Sequence, residues 1–196
     1  MLAESRSALK EWAAVERALA EGRTTVLVRK GGIHERRRDF EVEHREFWLF
    51  PTLFHQNRGE LRPELLPALE AAEALPRDPD RVRLQHYAVV EDALRVESLE
   101  ALHRLEGLHP LTRETVEQRF AYRGKPYLHV LVLRLYRLPE PRLIPNTLDY
   151  EGCVSWVELD DALPTEGARP VLMDAEFAAR RAEVVDRLGE AGVVRI

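Results

Sequence analysis

The chain has 196 residues, 45% of them apolar and 32% charged, and a formal net charge of −5. That balance suits one packed domain, excludes a disordered polar chain, and leaves any affinity for nucleic acid to a local basic patch. No window approaches the roughly 18 apolar residues of a membrane span, "MLAESRSALKEW" lacks the apolar core of a secretory signal, and Cys153 is the single cysteine, so a cytoplasmic protein without intrachain disulfides or a thiolate-rich metal site is expected.

Ala8, Trp12, Val15 and Leu19 recur at helical spacing behind Ser5 or Ser7, and Gly22 stands where such a helix would stop. The spacing predicts a first helix over roughly 6–21. "TTVLVRK" and "EVEHREFWLFP" predict two strands joined by a long connection. "RPELLPALEAAEAL" predicts a helix, with Pro67 in its first turn or at a bend. From Arg81 to Val96, residues Val82, Leu84, Ala88, Val90, Leu94 and Val96 alternate as one buried strand face that His86 and Asp92 interrupt.

Thr112 is placed to cap a helix through "RETVEQRF", with Leu111 and Val116 as a hydrophobic staple. "PYLHVLVLRLYRL" predicts a central strand, "CVSWVEL" a further one, and Asp174 is placed to cap a terminal helix ending near Gly189. Helices and strands follow one another without regular alternation, which points to an α+β fold with a mixed sheet, flanking helices and a C-terminal helix. We expect a single domain over 1–160, with 161–196 forming a linker, "DALPTEGARP", and a helix packed on that domain or on a second subunit.

The densest basic stretch is "VRKGGIHERRR", residues 28–38. Gly31 and Gly32 would let backbone N–H groups approach an anion, while Arg29, Lys30, Arg36, Arg37 and Arg38 would neutralise it. The same residues also fit a tight glycine turn among solvated charges, and the pattern is not that of a nucleotide-binding P-loop. "LFPTLFHQNRG" is the second cluster, where Thr52, His55 and Gln56 follow an apolar strand and would face a cleft. Arg134, on an otherwise apolar strand, requires a carboxylate, such as Asp92 or Glu158, or a bound anion.

No HExxH or GxSxG pattern occurs, and none of the three lysines follows an acidic residue by two positions. No cofactor is expected. Glu91, Asp92, Asp149, Glu151 and Glu158 are left as carboxylates that a fold might gather around magnesium. The 26 arginines against three lysines, with five Asn and Gln together, suggest a high-GC genome and tolerance of heat.

"KEWAAVERAL", "VLVRKGGI", "FWLFPTLFHQ", "HPLTRETVEQRF", "LVLRLYRL" and "EGCVSWVEL", in that order over about residues 8–160, resemble a bacterial family known only as domain of unknown function 1802. The resemblance implies that Lys30, Gly31, Gly32, Pro51, Thr52, His55, Gln56, Arg119, Arg134 and Trp156 lie within family motifs, and it implies no activity. "GRTTVLVR" at 22–29 is also similar to the helix-then-strand opening of small RNA-binding barrels of the PUA and ASCH kind, which implies a small barrel. Two functions follow as expectations: a nucleic-acid or nucleotide phosphate-binding module, or a metal-dependent phosphodiesterase. A protein–protein adaptor acting through the last helix is the third.

Overall fold

The computed structural model describes residues 1–30, 42–53, 56–76, 78–150, 152 and 154–196. Strands β1 (Glu4–Trp12), β2 (Val26–Arg29), β3 (Glu46–Thr52), β4 (Arg81–Val96), β5 (Leu128–Pro145) and β6 (Trp156–Pro164) form one sheet in the order β2-β5-β4-β3-β1-β6. The pairs are antiparallel except β1 with β3. Short β7 (Arg169–Pro170) adds to β5 and β8 (Val193–Arg195) to β4. Helices α1 (Ala13–Ala20), α2 (Leu66–Glu73), α3 (Leu99–Arg104), α4 (Arg113–Ala121) and α5 (Asp174–Leu188) flank it. The fold class is α+β with a mixed sheet, as the unalternating order of elements predicts. No helix among the described residues is long and apolar enough to cross a membrane.

The opening helix is a correction. Residues 4–12 form β1, and helix begins only at Ala13. Ala8 and Leu9 are both fully buried, in different core clusters on opposite faces of the strand. A strand buried on both faces loses its polar alternation, and here its apolar positions run on into the helix at a spacing that mimics one continuous helix. Neither Ser5 nor Ser7 caps it, and Trp12 precedes α1 with no side-chain cap of its own.

Other elements match expectation in detail. Pro67 sits in the first turn of α2, Thr112 Oγ1 accepts from Thr115 N at 3.3 Å, and Leu111 and Val116 meet in one cluster as a staple should. Helix α3, capped by Ser98 through Ala101 N, is an addition to the sequence reading. Asp174 does not cap α5; Met173 precedes the helix and the aspartate is its first residue.

β4 has the expected bounds but not one buried face. Register shifts fall between Leu84 and His86 and between Val90 and Asp92, so the polar residues that interrupt the pattern mark β-bulges. Each bulge turns the strand over. Val82 and Leu84 join one core cluster, Ala88 and Val90 a second, and Leu94 and Val96 a third.

These bulges let the sheet coil. Leu9 of β1, Leu27 of β2, Phe47 and Leu49 of β3, Ala88 and Val90 of β4 and Leu131 and Leu133 of β5 share one core cluster, with Trp156 of β6 packed against it. In a flat sheet β2 and β6 would stand about 24 Å apart, five spacings of roughly 4.8 Å. Their shared core therefore requires a barrel-like curl, with α1 and α2 contributing Val15, Leu19 and Leu69 to the interior. The outer face of β2, β4 and β5 is covered by α3, α4 and α5, where Phe177, Val184 and Leu188 of α5 are buried in the chain's own core.

Candidate functional site

The two ends of the coiled sheet are joined by side chains at a polar seam. Arg29 closes β2, and its Nη1 donates to Glu11 Oε2 at 2.9 Å and to Lys10 O at 3.3 Å, while Nη2 donates to Ser155 Oγ at 2.9 Å, just ahead of β6. Both ionic partners are largely buried, at 17% and 10% side-chain exposure. A planar guanidinium suits this place because its fixed fork can hold a carboxylate and two neutral oxygens together. Glu11 Oε1 in turn accepts from Trp12 N at 2.8 Å, and Lys10 Nζ donates to the carbonyls of Tyr150 and Gly152.

Trp12 links the seam to α4. The Arg119 guanidinium lies 5.3 Å from the centre of the indole ring and donates to Glu60 Oε2 at 2.8 Å. Below Arg119, burial and then the charges of Arg62 and Arg119 push the His109 imidazole down to about 4, so the ring is neutral at pH 7. Its Nδ1 accepts from Leu111 N at 3.2 Å, which makes it part of the frame.

Gln56 caps α1 from outside: its Oε1 accepts from Ala14 N at 2.9 Å, satisfying one of the N–H groups that a helix start leaves open. Its Nε2 is buried and has no hydrogen-bond partner among the described residues.

Lys30 faces inward with 7% exposure. Its ammonium donates to the carbonyls of Phe120 at 3.5 Å, Tyr127 at 2.9 Å and Lys125, and lies 4.5 Å from the centre of the Tyr127 ring. Lys30 thus organises the turn after α4.

Of the residues singled out by sequence, Arg29, Lys30, Gln56 and Arg119 meet around this seam, and Thr52 ends β3 in register with Trp12. Gly31, Gly32, Arg36, Arg37, Arg38 and His55 lie outside the described residues. Arg134 stands apart. Its Nη2 donates to Asp174 Oδ1 at 2.5 Å and its guanidinium lies 4.7 Å from the Phe177 ring centre, so it fastens the start of α5. The partner is therefore neither Asp92 nor Glu158. The cavity beside Arg134, bounded by Thr24, Leu133 and Phe177, is too small for an organic ligand.

Among the described residues the carboxylates do not gather. Asp92 is enclosed by Arg181, at 2.6 Å, and Arg195, and these guanidiniums hold its carboxyl below the usual range against the opposing effect of burial. Glu158 faces Arg6 at 3.9 Å, and Glu151 lies outside the described residues. Among the described residues no three His, Cys, Asp or Glu side chains converge as metal ligands.

Glu11, Ser155 and Tyr127 are the site residues sequence reading missed. Glu11 and Ser155 belong to "KEWAAVERAL" and "EGCVSWVEL", so their place as polar residues inside family-type motifs was the available signal.

What these features define is an α+β protein whose coiled mixed sheet is sealed by a polar, cation-bearing seam. The chain belongs to the family described as Domain of unknown function (DUF1802), whose model matches residues 8–183 and so extends beyond residue 160 into α5. No curated protein matches it. It is similar to crystal structures of ASCH from Zymomonas mobilis. With the unsubstituted protein, identity is 14% and the TM-score 0.43, covering 90% of this chain and 92% of the other. With a serine-to-alanine variant, the values are 14% and 0.44, covering 80% and 90%.

Proposed function

We propose that this protein is a nucleic-acid-binding module whose phosphate contacts are made at the seam. One observation carries the reading: five of the six family-type motifs meet there. Arg29 of "VLVRKGGI" bonds Glu11 of "KEWAAVERAL" and Ser155 of "EGCVSWVEL", Gln56 of "FWLFPTLFHQ" caps α1, and Arg119 of "HPLTRETVEQRF" stacks on Trp12.

The chemistry supports phosphate as the ligand group. The segment leaving the seam at Lys30 contains Gly31, Gly32, Arg36, Arg37 and Arg38, and returns at Val42, which packs on the core. Arg29 and Arg119 are held in place by Glu11 and Glu60, so little side-chain entropy remains to be lost on binding. Gln56, on the start of α1, and Thr52, in register with Trp12, supply polar groups for base or sugar contacts. With a molecular charge of −5, attraction has to come from such a patch.

Fluorescence anisotropy with labelled RNA and DNA, with and without magnesium, followed by a gel for cleavage, tests the reading. We expect binding that the change of Arg36, Arg37 and Arg38 to Ala weakens at least about tenfold, with no magnesium-dependent cleavage. Undiminished binding by the triple variant would remove the basic segment from the account, and cleavage would replace the module with an enzyme.

A further inference from the structure

Beside the seam lies a second cluster of cations and aromatics. Residues 119–127 read "RFAYRGKPY", three cations and three aromatics without a carboxylate. The turn is built by Lys30, whose ammonium gathers the carbonyls of Phe120, Lys125 and Tyr127. Tyr127 carries two cations near its ring, with Lys30 Nζ at 4.5 Å and Arg95 Cζ at 4.1 Å from the ring centre. Tyr122, by contrast, is 46% exposed, with the Arg123 guanidinium 5.1 Å from its ring.

Arg123 has an unusual backbone. It lies in the left-handed region, at φ +59 and ψ +20, the non-glycine residue among the described residues to do so. A side chain there costs on the order of 1 kcal/mol that glycine avoids. Its guanidinium has no carboxylate partner among the described residues, and unlike Arg83, Arg137 and Arg142, which bond to neutral groups, it lies against the exposed Tyr122 ring. Arg at this position therefore disfavours the fold without returning an ion pair, and the cation is held beside an exposed aromatic ring.

We infer that the 122–127 turn is a stacking platform for single-stranded nucleic acid, with an unpaired base on Tyr122 and the neighbouring backbone phosphate on Arg123. The inference rests on the nucleic-acid reading above and narrows its ligand. Bases in a duplex are stacked on one another and cannot lie on a side chain, whereas every unpaired base presents a face that an aromatic ring accepts. Lys30 connects the seam to the platform, since the residue that follows Arg29 also gathers the carbonyls that shape the turn.

The test is anisotropy of the full chain with labelled oligouridylate, oligothymidylate and an RNA duplex of equal length. Tyr122→Ala should weaken binding of both single strands about tenfold, while Tyr122→Phe should stay within about twofold of the parent. Arg123→Gly should weaken it about threefold and melt at or above the parent's temperature, since glycine relieves the backbone. That variant separates loss of contact from loss of fold. Duplex should bind more weakly than either single strand and be unaffected by Tyr122→Ala. If the parent binds single strands and both Tyr122→Ala and Arg123→Gly bind equally well, or if duplex is preferred, the platform is wrong while the binding module stands. If the parent binds none of the probes, the module reading falls first.

Discussion

Replacing Lys30 with Met separates the two tasks that its place in a basic segment suggests. The thioether keeps the aliphatic stem, so packing is retained and only the ammonium is removed. Two of its carbonyl bonds are short, to Tyr127 and Lys125, and the third, to Phe120, is 3.5 Å and weak. A hydrogen bond to a charged group contributes roughly 1.5–3 kcal/mol net, so two give about 3–6 kcal/mol, part of which offsets the desolvation of a buried ammonium. We expect a loss of about 3 kcal/mol, which for a chain of this size lowers the melting temperature by roughly 6–12 °C. Hydrogen exchange should localise the loss to residues 120–127. A Lys30→Met protein that melts within about 1 °C of the parent but binds RNA poorly would contradict the reasoning, because the ammonium would then be a ligand contact and not the staple of the turn.

Asp92 is held ionised by Arg181 and Arg195, so its stabilisation is fully present above its ordinary value of 3.8 and is lost as pH falls through the lower value it has in the fold. Asp92→Asn should flatten that acid limb of the melting-temperature profile; an unchanged limb would count against the pairing. The His109 ring should titrate near 4 by NMR, and since the unfolded imidazole takes its proton first, stability should fall as pH drops from about 6.5 toward 4. A midpoint near 6.5 would show a solvated ring instead. Gln56→Ala should cost about 1 kcal/mol by uncapping α1, and Gln56→Glu should keep that stability, since a carboxylate also accepts from Ala14 N; equal melting of all three proteins would refute the cap.

Strong local patterns were legible in the sequence. β4 has the predicted ends at Arg81 and Val96, and Thr112, Leu111 and Val116 form the expected helix start, because turn residues and caps act within a few positions. β1 was misread because burial on both faces erases alternation, and its junction with α1 at Trp12 keeps a 3.6-residue spacing across two different structures. The bulges in β4 showed only as His86 and Asp92 breaking the pattern, since a register shift depends on the partner strand.

In the candidate site, Arg29, Gln56 and Arg119 could be named from their motifs, but their partners could not. Glu11 and Ser155 lie 18 and 126 positions from Arg29, and only the coil of the sheet brings them together. Arg134 was recognised as a buried cation needing a partner, and the choice of Asp174 follows from where α5 docks. Tyr122 and Arg123 gave no sequence signal because exposure and a left-handed backbone are properties of the folded turn.

The most direct test of the central claim is the salt dependence of binding to labelled oligouridylate, measured for the parent and for the protein with Arg36, Arg37 and Arg38 changed to Ala. Each phosphate neutralised on a single strand contributes about 0.7 to the slope of log K against log salt, so losing three such contacts should lower the slope by about 2. A parent that binds with a steep slope and a variant that is flatter by that amount would agree with phosphate binding through the arginine-rich segment. Equal slopes, or a parent whose affinity is indifferent to salt, would contradict it.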